Sequence, residues 1–308
     1  MNGEGAFSRD GKRMVGMLTL RAPAKINLTL EVLARRDDGY HGIRSVMVPL
    51  DLADELAIEP AVRFRFECDR CELEGERNLA VRAIRALGAP PPVHMRLSKR
   101  IPVEAGLGGG SSDAAAVLRA AMSGALGAAP NHDWLRVARA LGSDVPFFLA
   151  GTAALVEGTG ERITPAGSMP RWHVLIVKPP AAVSTAAAYS ALDRLERPQR
   201  TRKDSASIAV LEALQRADFA AVEHRMQNDF HEMIVSQTRE VAVAIDALRA
   251  AGASNALLAG SGSCVFTLGP DADAIGAIHS RLDLPADYVP FATAFAPTPQ
   301  WRPSTSSG

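Results

Sequence analysis

Twelve residues constrain this chain more than any others: Pro102, Val103, Glu104, Ala105, Gly106, Leu107, Gly108, Gly109, Gly110, Ser111, Ser112 and Asp113. Val93, Met95 and Leu97 alternate like a short strand before them, and a helical pattern over 112–126 follows. The glycines therefore occupy a strand-to-helix turn. Glycine there permits positive φ and lets backbone N–H groups approach an anion with no Cβ in the way. The helix N-terminus adds unpaired N–H donors and partial positive charge. Together these features cradle phosphate. The alternative is a tight turn with no ligand, which needs one or two glycines rather than four. Neither of two familiar phosphate loops fits. A P-loop needs a Lys after its last Gly, and none stands there. A dinucleotide fingerprint would open a βαβ unit and place Gly where Ser111 stands, yet three strand patterns precede this loop.

The rest of the chain reads as α+β. Leu28, Leu30 and Val32 predict one strand and Val46, Val48 and Leu50 a second, with turn formers over 35–42 between them. A third strand is expected over 63–67. Asn78 is placed to cap a helix reaching Leu87, with Gly88 just past its end. Asn131 is placed to cap another ending at Leu141, and a strand is expected over 151–157. Gly, Thr, Pro and Ser cluster over 158–171, which predicts a boundary and domains at 17–165 and 166–298. The second part reads as strand (173–177), helix (184–195), a basic loop with Arg194, Arg197, Arg200, Arg202 and Lys203, then one long helical stretch over 205–251. Strand, glycine turn, strand, helix and strand complete it, a βα…ββαβ order that predicts a ferredoxin-like domain. Residues 1–16, polar and Gly-rich, and 299–308, Ser-rich and aperiodic, are expected to be a disordered extension and a flexible tail.

Charge and composition exclude several function classes. Lys plus Arg equals Asp plus Glu at 34 each, so the basic surplus of a nucleic-acid binder is missing. No apolar run reaches the ~20 residues of a membrane span, and the N-terminus lacks the apolar core of a secretory signal. Three cysteines cannot build a disulfide framework, which points to the reducing cytoplasm. Cys68 and Cys71 form a single C-x-x-C with no second pair for zinc. A monomer or weak homodimer that binds neither nucleic acid nor membrane is expected.

The glycine segment, continuing into Ala114, Ala115 and Ala116, is similar to the phosphate-binding motif of the GHMP kinase superfamily. Pro23-Ala24-Lys25-Ile26-Asn27-Leu28 resembles the superfamily's first motif, and Leu258-Ala259-Gly260-Ser261-Gly262-Ser263 its third. Three segments sharpen the match: residues 35–41, ending in Tyr40 and His41; residues 141–148 around Asp144; and Gln227-Asn228-Asp229-Phe230. They look like the family that phosphorylates 4-diphosphocytidyl-2-C-methyl-D-erythritol. The resemblance spans roughly residues 18–296. It implies a two-domain GHMP kinase fold, with a ribosomal protein S5 domain 2-like N-terminal domain and a ferredoxin-like C-terminal domain. The implied reaction moves the γ-phosphoryl of ATP, with Mg²⁺, to a tertiary hydroxyl. Two rivals are another GHMP kinase of mevalonate or homoserine type and a non-catalytic nucleotide-binding protein on the same scaffold.

The resemblance also implies roles. Asp144 is the proton acceptor; read without the resemblance it is a helix cap after Gly142. Lys25 is its counter-charge and neutralises the transferring phosphoryl; by itself it reads as a surface lysine. Residues 102–112 hold the ATP phosphates, with Asn78 and Lys99 beside the adenosine, though Asn78 also reads as an N-cap and Lys99 as a surface charge. Asn27 bonds substrate hydroxyls, or is satisfied within its strand. Tyr40 and His41 take the cytosine by stacking and hydrogen bonding. Tyr189 and Thr185 complete that end, unless Tyr189 is simply core. The ligands of Mg²⁺ are open among Ser111, Ser112 and Asp113, the last of which also suits the helix dipole.

Overall fold

The computed structural model describes residues 16–37, 39–126, 133–195, 204–296 and 304–305. The expected cap at Asn131, most of the basic loop and nearly all of the N-terminal extension lie outside the described residues.

Two long strands organise the first half. β1 (Leu18–Arg35) and β2 (His41–Pro60) form an antiparallel hairpin around the turn that carries Tyr40. Then come β3 (Arg65–Cys68), α1 (Leu79–Arg85), β4 (Val93–Ser98) and α2 (Gly109–Met122). The half closes with α3 (Trp134–Leu141), α4 (Val145–Ala150), β5 (Ala154–Gly158) and β6 (Arg162–Pro165). β2 is long enough to serve two neighbours, pairing β5 through Ile43–Met47 and β4 through Glu55–Pro60.

The expected alternation in β1 holds for its apolar residues, but the polar residues between them do not face water. Lys25, Asn27, Thr29 and Glu31 are all buried. The reason is that β1 is covered on both sides. Leu18, Leu20, Ala22, Leu30 and Val32 belong to one apolar cluster and Ala24, Ile26 and Leu28 to another. Register shifts between Pro23 and Lys25 and between Asn27 and Thr29 make that exchange of faces possible. The same shifts aim Lys25 and Asn27 into a cleft.

α2 starts at Gly109, three residues before the predicted start, and ends at Met122 rather than Leu126. Gly109 and Gly110 are thus its first turn, and the loop proper ends at Gly108. From Ser112 to Ala121 every residue is buried, and the run of alanines lets the helix lie close against β1 and α1. The apolar run after Asp144 is a short helix, α4, that begins at Pro146's turn, where proline is well tolerated. α3 is capped by Asp133, whose side chain accepts from Arg136 N–H. β6 lies inside the stretch expected to be linker.

The second half contains β7 (His173–Lys178), α5 (Thr185–Leu192), α6 (Ala206–Gln215), α7 (Phe219–Arg225), β8 (Gln227–Asn228), α8 (His231–Gln237) and α9 (Arg239–Ala250). β9 (Leu257–Leu258), β10 (Val265–Gly269), α10 (Ala272–Ser280), β11 (Val289–Ala294) and β12 (Ser304–Thr305) complete it. The long helical stretch expected over 205–251 is four helices. One helix of that span would run about 70 Å, far beyond the body it must cover. Ala217, at φ 53°, turns the chain, and Asp218 caps α7 through Ala221 N–H. Then β8 leaves the helical layer to pair in parallel with β1 at Thr29 and Leu30.

Four strands make an antiparallel sheet in the order β11-β7-β10-β9. Numbered within this sheet that order is 4-1-3-2, the ferredoxin-like arrangement expected, with α5 to α9 inserted after its first strand. β12 pairs with Leu18 and Thr19 of β1, so part of the C-terminal tail, expected to lie outside the fold, meets the strand edge that Leu18 leaves open.

Candidate active site

Lys25 lies on β1 between the two shifts. Its backbone N–H donates to Leu107 C=O of the glycine loop at 3.0 Å. Its ammonium, almost fully buried, donates to Asn27 Oδ1 at 2.7 Å and stands 3.5 Å from Asp144 Oδ2. Asn27 Nδ2 donates to Ser45 Oγ at 2.7 Å, and Ser45 Oγ donates to Thr29 C=O. The amide thus has a protein partner at each end and orients the lysine, while Asn27 also lines the cavity in which a substrate contact is expected of it. Ser45 and Thr29 continue this support to Ser207 on α6, whose hydroxyl is 2.8 Å from that of Thr29.

Asp144 occupies the N-cap position of α4, but its side chain caps nothing. The helix-cap alternative read from the sequence is thus not what the carboxylate does; it is left facing Lys25. These two residues, far apart in the sequence, meet because β1 and the α3–α4 turn flank the same cleft.

The glycine loop is held by Ala105 and Leu107, both buried, with Cys264 N–H donating to Ala105 C=O at 3.2 Å. Gly106 and Gly108 have φ of 76° and 72°. A Cβ on Gly106 would overlap Ala259 C=O, and one on Gly108 would lie 2.8 Å from the Phe148 ring and 3.1 Å from Lys25 Cγ. A Cβ on Gly109 would meet Ile101, Lys99 and Asp54. These glycines are required first by close packing of the protein on itself. The cradle nonetheless results. Gly108 is the N-cap of α2 and has no side chain to cap it, so the first amides of the helix, through Ser111, lack intrahelical acceptors. Glu104, also at positive φ (52°), lines the mouth, while Pro102 and Val103 form the loop's approach.

Beneath Gly109 lies a buried charge cluster. The Lys99 ammonium is bonded to Asp54 and, at 2.7 Å, to Asp113 Oδ2. Burial and the Asp54 carboxylate, opposed by Lys99, push Asp113 up to about 7. Burial alone would lower Lys99, but Asp113 and Asp54 raise it overall. Lys99 and Asn78 are absent from the lining of the main cavity. Asn78 acts as the N-cap of α1, accepting from Ala80 N–H and donating to Leu73 C=O. Ser112 Oγ is buried with no protein partner, and Ser111 is half-buried. Among the described residues no group of three His, Cys, Asp or Glu side chains is placed to hold a metal. Cys68, Cys71 and Cys264 are free thiols, and burial pushes Cys264 up to about 12.

A cavity of about 1100 Å³ runs from the glycine loop past Lys25 and Asp144 to the opposite rim. There the His41 ring stacks on Tyr189, with centroids 5.6 Å apart and planes 18° apart. His41 Nδ1 is 3.1 Å from Leu33 C=O and Nε2 2.8 Å from Asp193. Tyr189 packs edge-on against Phe230, so it is both core and cavity wall, while Tyr40 is 69% exposed beside it. Thr185 Oγ1 lies 2.8 Å from Ser261 Oγ, joining α5 to the glycine turn over 259–262. Sequence reasoning assigned no role to Arg35 and Phe230, though both stand in segments it singled out, and overlooked Asp193 and Ser45. The only signal for Ser45 was a small polar residue at an inward position of β2.

The pattern described as GHMP kinases N terminal domain matches residues 78–152, and that described as GHMP kinases C terminal matches 210–284. A 4-diphosphocytidyl-2-C-methyl-D-erythritol kinase from Deinococcus radiodurans is 41% identical, the match covering 82% of this chain and 84% of that one. One from Symbiobacterium thermophilum is 40% identical, covering 86% and 95%. A crystal structure of 4-(cytidine 5'-diphospho)-2C-methyl-D-erythritol kinase superposes with a TM-score of 0.73 at 36% identity, covering 90% of this chain and 99% of that one. With its two GHMP domains and a Lys25–Asp144 pair beside an uncapped helix, the chain belongs to the 4-diphosphocytidyl-2-C-methyl-D-erythritol kinase family.

Proposed function

We propose that this protein transfers the γ-phosphoryl of ATP to the tertiary 2-hydroxyl of 4-diphosphocytidyl-2-C-methyl-D-erythritol. The observation that carries this reading is the Lys25–Asp144 pair, at 3.5 Å, in a cavity bounded by an anion cradle at one end and stacked His41 and Tyr189 at the other. The two ends suit two nucleotides, and the hydroxyl between them falls to Asp144.

The free amides over 108–111 take the phosphates of ATP through hydrogen bonds and the helix dipole. Tyr40, His41 and Tyr189 take the cytosine, whose flat face suits stacking, and Thr185 borders it. Asp144 orients the acceptor hydroxyl and receives its proton as the new O–P bond forms and the bond to ADP breaks. Lys25, fixed by Asn27, supplies positive charge where negative charge gathers on the moving phosphoryl. When bound, Mg²⁺ would supply neutralising charge to the triphosphate. The oxygens of Ser111, Ser112 and Asp113 would hold it; Asp113 Oδ2 pairs with Lys99, while its Oδ1 has no protein partner. Among the described residues no helix is long and apolar enough to cross a membrane, and we place the reaction in the cytoplasm.

An assay of ADP release with the cytidyl-methylerythritol substrate, mevalonate and homoserine tests the reading. Turnover is expected with the first alone. Turnover with mevalonate or homoserine and none with the cytidyl compound would refute it. ATP binding without turnover on any acceptor would favour a non-catalytic nucleotide-binding protein.

A further inference from the structure

The segment Gln227–Phe230 interrupts the helical layer of the second half to reach β1. Asn228 is buried, and its side chain has all its partners within the protein. Nδ2 donates to Leu258 C=O at 2.8 Å and to Gly260 C=O at 2.7 Å, while Oδ1 accepts from Phe230 N–H at 2.9 Å. His231 completes the hold, its Nδ1 accepting from Leu258 N–H at 3.2 Å. Both backbone groups of Leu258, at the entrance of the glycine turn, are thus taken by side chains of one short segment. That segment is itself tied to β1, since Asp229 N–H donates to Leu30 C=O and Asp229 Oδ2 accepts from Val32 N–H.

The turn so held lies directly on the catalytic lysine. A Cβ at Gly260 would stand 3.2 Å from Lys25 Nζ and 2.9 Å from Gly106 C=O. A shift of the turn by a fraction of an ångström would therefore move the wall against which the ammonium rests. An amide –NH₂ is the only uncharged side-chain group that offers two donors to two carbonyls from one atom. We infer that Asn228 is a positioning residue: by clamping Leu258 and Gly260 it fixes the glycine turn that in turn sets Lys25 against Asp144. This rests on the kinase reading above.

Asn228→Asp isolates the clamp, because it keeps Oδ1 for Phe230 N–H and places an acceptor where two carbonyls need a donor. A buried carboxyl facing carbonyls binds its proton more tightly than a free one, and once protonated it regains one donor. The titratable or charged groups around it are Asp229 beside it, His231 and Glu232 on α8, Arg249 on α9 and Lys25 on β1. All are present in the wild type, and Asn228→Ala, which lacks the new carboxyl, reports what loss of the clamp does to their own titration.

Three readouts follow. Hydrogen exchange over 257–264 in the N228D protein is expected to quicken about tenfold. Its kcat is expected to fall about 10- to 100-fold with KM for the cytidyl substrate unchanged, as for a small displacement at the reacting centre. The ratio of N228D to wild-type kcat is expected to rise as pH is lowered from about 8 to about 6. Asn228→Ala, which carries no charge should N228D fail to fold, is expected to show the first two effects with a flat ratio. Unchanged exchange in both variants, or kcat within about twofold of wild type, would overturn the clamp. So would a kcat loss in N228D with no dependence on pH. A wild-type protein inactive on the cytidyl substrate would refute the kinase reading instead, while the exchange measurement would still judge the clamp.

Discussion

Gly108→Ala is the substitution for which the structure predicts most. Residue 108 sits at φ 72°, where an L side chain costs about 1–2 kcal/mol. The new methyl would lie 2.8 and 2.9 Å from two Phe148 ring carbons and 3.1 Å from Lys25 Cγ. Phe148 cannot swing away, because it is 2% exposed and packs edge-on against Phe147 at 5.2 Å. Overpacking of this kind adds about 1–3 kcal/mol. The expected loss is therefore about 2–5 kcal/mol in urea unfolding followed by tryptophan fluorescence, with a fall in kcat as the stem of Lys25 is displaced. Phe148→Leu removes the ring edge that the methyl strikes. In a double-mutant cycle the pair should be more stable than the sum of its parts by about 1 kcal/mol. Strictly additive effects, or a G108A protein within about 0.5 kcal/mol of wild type, would show that the glycine is not required by packing.

Asp144→Asn should reduce kcat below detection in the ADP-release assay while an unhydrolysable ATP analogue still binds by calorimetry; lost analogue affinity with retained turnover would contradict the assignment. For Asp113, the folded value of about 7 lies above the ordinary 3.8, so the folded state binds this proton more tightly than the unfolded chain. That contribution is present at low pH and lost as pH rises from about 4 to about 7. Wild type should therefore lose stability relative to Asp113→Asn across that window in urea titrations, and parallel pH profiles for the two proteins would refute the reasoning.

The glycine loop was legible because its composition departs so far from an ordinary turn, and the strand-to-helix turn it predicts is in place, with no side chain capping the helix start. The purpose of the individual glycines was not legible. Gly106 and Gly108 are there because Ala259, Phe148 and Lys25 press against them, and those residues come from other parts of the chain. Alternation found the strands but misjudged the polar positions of β1, since period 2 says which residues share a face and not what covers it. Helical periodicity over 205–251 was real in each piece. What broke the stretch was Ala217 in a left-handed conformation, the pairing of β8 with β1 and the extended backbone of Thr238 between α8 and α9. Of these the β8 pairing is the long-range effect. Lys99 shows the same limit: it reads as a surface charge until Asp54 and Asp113 are brought to either side of it.

From its own letters the chain determined most of its strands, the glycine turn that leads into a helix and the residue types able to carry phosphoryl transfer. Those properties are local, set by backbone freedom, periodicity and side-chain chemistry within a few residues. The fold alone decided that Lys25 and Asp144 meet, that Asn27 holds the lysine, and that Asn228 grips a turn across the cleft. Contacts between distant segments depend on how two covered faces of one strand are filled, and no short stretch of sequence records that.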